Sequence, residues 1–167
     1  KTKSFAEELK CAYQNTCAVG AFNIFNDLSA RAVIRSASAL ESPVIIQTSV
    51  STVKQFGPLE LGAMLRQLAW NAPVNVILHL DHCQDLSLAK ACMDAGWDSV
   101  MYDGSRLPIG ENIRNCREVA DYAHRRGIQV EGELGTIAGV EDDLKVEEKD
   151  AAGTDLEEAV RFVKESG

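Results

Sequence analysis

The chain of 167 residues has a formal net charge of -8 and a hydrophobic share of 46%, which provides for a core but offers nucleic acid or an anionic membrane surface no clustered Lys and Arg. Its length suits one ordinary domain, or part of an α/β barrel of about 250 residues. Five cysteines without a CxxC pair, Cys11, Cys17, Cys83, Cys92 and Cys116, are expected as reduced packing thiols of a cytoplasmic protein, and no apolar run approaches the roughly 20 residues of a membrane span.

The opening KTKSFAEELK lacks the pattern of a secretory signal. Short runs rich in Val and Ile then alternate with segments whose apolar residues recur three and four apart, the rhythm of βα units. The first strand is expected over 19–25. A helix over 28–41 follows, capped by Asp27 or Ser29 and closed by Ser42 and Pro43. The second strand is expected over 43–49, followed by one helix through 56–73 that stops where Asn71, Ala72 and Pro73 cannot easily continue it. The third strand covers 74–82, and Gly96 stops the helix over 86–95. A fourth strand covers 98–105, a helix over 112–126 ends at Gly127, and a fifth strand covers 128–135. Residues 136–154, with EDD, EEKD and no period, are expected as a mobile acidic loop. A last helix spans 155–165, with Thr154 as its cap.

Strands apolar on both faces and separated by single helices call for a parallel sheet, either doubly wound or closed into a barrel. In both architectures ligands bind at the carboxyl ends of the strands. The residues found there are Asn23, Asn26, Gln47, Ser49, His79, Asp81, His82, Asp103, Ser105, Glu131 and Glu133. Such a concentration of carboxylates and imidazoles on one rim points to catalysis and suits a divalent metal such as zinc.

In VILHLDHCQDL, alternation sends His79 and Asp81 to one side of the strand and Leu80 and His82 to the other, unless the strand has already ended. His82 could ligate a metal through one nitrogen while a carboxylate or carbonyl holds the other, and Asp81 could move a proton. The same spacing fits an aspartate that caps the helix near Leu86, flanked by histidines filling a polar end of the core. Other residues have simpler readings. Glu131, one step out of phase with the rim, is expected to partner a neighbouring strand, Asn26 to start a helix, and His124 to lie on the surface. Cys83 is expected as a buried thiol. Trp70 and Trp97 are expected to pack, and the acidic run, apart from Glu141, to be a solvated loop.

AFNIFN, SPVIIQTS, HLDHC, AGWDSVMYDGS with ENIRNCREVADYAH, and VEGELGTIAGVEDD occur in an order that resembles the class II, metal-dependent ketose-bisphosphate aldolases. The resemblance implies a TIM (β/α)8 barrel, of which this single domain holds about the first five βα units. It also implies reversible cleavage of fructose or tagatose 1,6-bisphosphate to dihydroxyacetone phosphate and glyceraldehyde 3-phosphate, through an enediolate stabilised by zinc rather than a lysine Schiff base. By position, Asp81 matches the acid/base at the C4 oxygen and His82 the first zinc ligand. Asp103 and Glu133 match a second or displaced metal position, which admits a second divalent ion or a monovalent cation. Glu141 matches a loop residue that exchanges a proton with the nascent dihydroxyacetone phosphate. Asn23 and Ser49 match substrate contacts, the serine near a phosphate. The family's later zinc histidines and phosphate loops have no counterpart here, so the chain is expected to be a fragment of such an enzyme, one that forms dimers or tetramers. The competing expectations are another metal-dependent barrel lyase or epimerase, and a non-catalytic half-barrel interaction fragment.

Overall fold

A computed structural model of the chain describes residues 3–136, 139–141, 144–146 and 153–167. Its first element, α1 (Phe5–Gln14), is one that the sequence pattern passes over. Ser4 Oγ accepts from the Glu7 N–H and the Glu7 carboxylate accepts from the Ser4 N–H, so a reciprocal capping box starts the helix.

Five parallel strands follow: β1 (Gly20–Asn23), β2 (Val44–Ser49), β3 (Val76–Cys83), β4 (Ser99–Tyr102) and β5 (Gln129–Gly132). They lie in the sheet in chain order. A doubly wound sheet reverses strand order at a switch point; this one does not, and its sequential order is that of a barrel wall. The connecting helices are α2 (Asp27–Ala39), α3 (Val50–Phe56), α4 (Pro58–Trp70), α5 (Leu86–Asp94) and α6 (Ile109–His124), with α7 (Leu156–Ser166) packed on α6.

Alternation along the strands separates two faces. Val44, Ile46, Val76, Leu78, Leu80, Val100 and Tyr102 form one core with Ile34, Leu61, Leu65, Cys92, Met93 and Val119 from the helices. At about 25 cal/mol per Å² of apolar surface removed from water, each such side chain adds about 1.5 to 3 kcal/mol before entropy is counted. Ile45, Ile77, His79, Asp81, Ser99, Met101 and Glu131 alternate onto the opposite face. There the Phe5 ring stacks on His79 with centroids 6.1 Å apart, and the Asn75 amide donates to Glu8 Oε1 at 3.1 Å and to the Lys3 carbonyl at 2.8 Å. α1 therefore covers part of the sheet's inner face.

Several boundaries differ from the sequence reading for local reasons. The helix expected through 56–73 is broken at Gly57, whose φ of +85° no helix accommodates, and Pro58 restarts it as α4. Asn26, rather than Asp27 or Ser29, caps α2, its side chain accepting from the Ser29 N–H at 2.9 Å. Asp155, not Thr154, caps α7; Thr154 Oγ1 instead donates to the Leu134 carbonyl. β4 stops at Tyr102, and α6 begins at Ile109 behind Pro108. Within 136–154, expected to lack strand structure, β6 (Gly139–Glu141) and β7 (Leu144–Val146) pair antiparallel; the rest of that expected loop, from 137 to 152, lies outside the described residues. Trp97 is buried as expected, its Nε1–H donating to Thr48 Oγ1 at 3.0 Å, whereas Trp70 is 85% exposed and does not pack.

Candidate active site at the strand ends

The site depends on one irregularity in β3. Leu80 pairs with Val100 and Cys83 with Tyr102, so Asp81 and His82 together stand opposite the single residue Met101. That is a β-bulge, and His82 is its extra residue, at φ +44°. A left-handed conformation in a non-glycine residue costs of order 1 kcal/mol or more and collects at functional sites. Its effect is specific. The strand continues to Cys83, yet strict alternation fails, and His82 turns toward the end of β4, where its Nδ1 lies 3.0 Å from Asp103 Oδ2.

Asp103 is 4% exposed. Its other oxygen accepts from the Ser105 backbone N–H at 3.1 Å and from Ser105 Oγ–H at 2.7 Å. Burial alone would raise its carboxyl, but the hydrogen bonds from His82 and Ser105 outweigh burial and hold it below the usual carboxylate value. A carboxylate at Nδ1 fixes the imidazole orientation and keeps the proton on Nδ1, so the ring's lone pair lies on Nε2.

Asp81 faces the other way across the rim, toward β1. Asn23 Nδ2 donates to Asp81 Oδ2 at 3.0 Å, which orients the carboxylate. Asp81 caps nothing: Asp85 caps α5, accepting from the Ser87 and Leu88 N–H groups. Glu131 pairs in register with Met101 and shares the face of Asp81, so it is in phase with the rim rather than out of it. Its carboxyl is pushed up, by burial first and by the charge of Asp81 second, with His82 opposing.

The two neighbouring histidines are separated by depth. His79 is 3% exposed, its Nδ1 lies 2.7 Å from Ser99 Oγ, and burial pushes its pKa down to about 4. It is a neutral core group, while His82 is the rim group. His124 is exposed at the end of α6. Cys83 is fully buried and burial pushes its thiol up, as expected of a packing residue.

Ser49 also lies at the rim, opposite Asp81 in the register. It is buried and caps α3, its Oγ accepting from the Thr52 N–H at 3.3 Å and lying 2.9 Å from Ser51 Oγ. Glu133 follows the end of β5, and its carbonyl accepts from Asn112 Nδ2 at 2.9 Å. The backbone of Glu141 lies in β6; its side chain is outside the described residues. The sequence reading missed Asn112, a 1% exposed residue in the first part of α6, because a polar residue at the start of a helix ordinarily faces water.

His82, with Asp103 behind it, has the chemistry of one zinc ligand. Among the described residues no group of three or more His, Cys, Asp and Glu side chains is placed to hold a metal. The described residues therefore fit one corner of a metal site and not the whole of it.

A sequential parallel wall with acids and an oriented imidazole gathered at its carboxyl ends defines a barrel-type α/β protein. Over residues 3–167 the chain matches the family described as fructose-bisphosphate aldolase class-II, and it belongs to that family. It is 39% identical over 158 residues to the sulfofructosephosphate aldolase of Alkalicoccus urumqiensis, covering 95% of this chain and 55% of that protein. Its identity to the 6-phospho-5-dehydro-2-deoxy-D-gluconate aldolase of Shouchella clausii (strain KSM-K16) is 41% over 160 residues, covering 93% and 53%. The crystal structure of the YdjI aldolase from Escherichia coli K12 matches with a TM-score of 0.83 at 29% identity, covering all of this chain and 62% of that one. The chain spans about half the length of the curated relatives it matches, and its five strands correspond to part of a TIM barrel.

Proposed function

We propose that this chain supplies the proton-transfer carboxylate and one histidine ligand of a metal-dependent aldolase that reversibly cleaves a phosphorylated ketose beside its carbonyl. One observation carries this reading: the adjacent residues Asp81 and His82 are each held by a separate partner, Asn23 and Asp103, at the carboxyl end of the same strand.

In the cleavage direction Asp81 takes the proton of the C4 hydroxyl as the C3–C4 bond breaks and its electrons pass toward the C2 carbonyl oxygen. Asn23 keeps the Asp81 carboxylate aimed. His82 would hold a zinc ion, which would supply Lewis-acid stabilisation of charge on the carbonyl side. Asp103 holds the His82 ring for that ligand bond, and Glu133 stands at the next strand end as a further donor. Glu141 returns a proton to C3 of the three-carbon product. Ser49, at the end of β2, contacts the substrate near a phosphate while capping α3.

The first substrate reading is a ketose 1,6-bisphosphate, fructose or tagatose, giving dihydroxyacetone phosphate and glyceraldehyde 3-phosphate. The names of the two relatives favour a second, a phosphorylated substrate whose far end carries a sulfonate or a carboxylate. Assay of the intact protein against fructose and tagatose 1,6-bisphosphates, sulfofructose phosphate and 6-phospho-5-dehydro-2-deoxy-D-gluconate separates them by kcat/KM; cleavage of none refutes the aldolase reading. The protein acts in the cytoplasm as a homo-oligomer, and sedimentation at equilibrium tests the assembly. Among the described residues no helix is long and apolar enough to cross a membrane.

A further inference from the structure

Asn112 is 1% exposed, and its side chain bridges two strand ends. Nδ2 donates to the Glu133 carbonyl, just past β5, at 2.9 Å. Oδ1 is buried with no hydrogen-bond partner and lies against Gly104, the residue that follows Asp103. A Cβ on Gly104 would overlap Oδ1 and come within 2.6 Å of Asn112 Cγ. The side chain thus fills a cradle that only glycine leaves open. An orphaned buried acceptor is costly, and an apolar residue of the same size avoids that cost. Core packing therefore does not account for an asparagine here, whereas a bridge from the Glu133 carbonyl to the backbone behind Asp103 does.

We propose that Asn112 is a positioning residue of the rim: wedged between the Glu133 carbonyl and Gly104, it fixes the backbone of Asp103 and through it the orientation of the His82 ring. This rests on the reading of His82 as the metal-ligating histidine. Asn112 touches neither substrate nor metal. It acts along the chain Asn112, Gly104, Asp103, His82, in which the last link is the 3.0 Å contact between Asp103 Oδ2 and His82 Nδ1. Supporting residues of this kind typically change metal affinity or activity about 10- to 100-fold.

The test disturbs the wedge from both sides, with Asn112→Leu, which removes its polar atoms, and Gly104→Ala, which pushes it out. In the intact protein with ¹⁵N-labelled histidine, the ring resonances of His82 should shift or broaden in both variants. Those of His79, held by Ser99 on the inner face, should stay in place. Zinc affinity, measured by competition with a chelator, should fall about tenfold or more. Unmoved His82 resonances in a folded variant overturn the proposal, and if Asn112→Leu fails to fold, Gly104→Ala decides it alone. Wild-type protein that cleaves no phosphorylated ketose would refute the aldolase reading but leave the resonance comparison able to decide this one.

Discussion

Replacing His79 with asparagine should flatten the acid limb of the stability curve. Burial is the main reason that the His79 pKa falls from 6.5 to about 4, with the His82 charge adding to it and the Asp81 charge opposing. Its side chain is 4% exposed, so little solvent screening intervenes. Above pH 6.5 the ring is neutral in both folded and unfolded chains, and the full stability is present. As pH falls from 6.5 toward 4, the unfolded chain binds a proton that the folded chain refuses, and stability is lost until the folded ring also titrates. The gap is worth about 3 kcal/mol at about 1.4 kcal/mol per pH unit. Asparagine keeps a polar atom near the position of Nδ1, opposite Ser99, and has no such titration. Urea unfolding from about pH 7.5 to pH 4 should therefore show wild type losing about 3 kcal/mol more than His79→Asn. Parallel curves would refute the assignment of His79 as a sealed neutral core group.

Other perturbations separate the rim from the core. Asp103→Asn removes the charge behind His82 and should weaken zinc binding about 10- to 100-fold in a chelator competition while the far-ultraviolet spectrum is unchanged; unchanged affinity would mean that His82 does not ligate. Because protons compete with a metal for His82, zinc affinity in wild type should fall below about pH 6, and a flat titration from about pH 8 to pH 5 would remove His82 from the ligand set. Trp97→Phe deletes the buried N–H that Thr48 Oγ1 accepts and should cost about 1 kcal/mol in denaturant unfolding, with no effect on zinc affinity.

The rim was legible because parallel βα units place function at strand ends, and period-two alternation locates those ends to within a few residues. Asp81 and Asn23 follow directly from that rule, since both project from the inner face near the carboxyl ends of their strands. His82 does not, because alternation alone points it toward the helices. The bulge that turns it back has no local signature: nothing in HLDHC announces a left-handed histidine, and the pairing of β3 with β4 creates it. Glu131 was misread for a related reason, its phase being set by the register with Met101 rather than by the polarity of its neighbours. α1 lacks a signal because its capping box lies in a polar opening segment, and the break at Gly57 lacks one because apolar Phe56 and Leu59 keep a helical spacing across it. Asn112 was invisible because its partners, Gly104 and the Glu133 carbonyl, meet it only through the packing of α6 on the strand ends.

Asp81 and His82 are proposed to divide the work of one metal-dependent aldol cleavage. The measurement that tests it most directly is cleavage of a phosphorylated ketose by the intact protein, wild type and Asp81→Ala, before and after EDTA treatment and zinc restoration, with a parallel borohydride trap. Wild-type activity should disappear with EDTA and return with zinc, borohydride should leave no lysine adduct, and folded Asp81→Ala should be inactive yet bind zinc as wild type does. Activity that survives EDTA, a trapped lysine adduct, or an active Asp81→Ala protein would contradict the proposal.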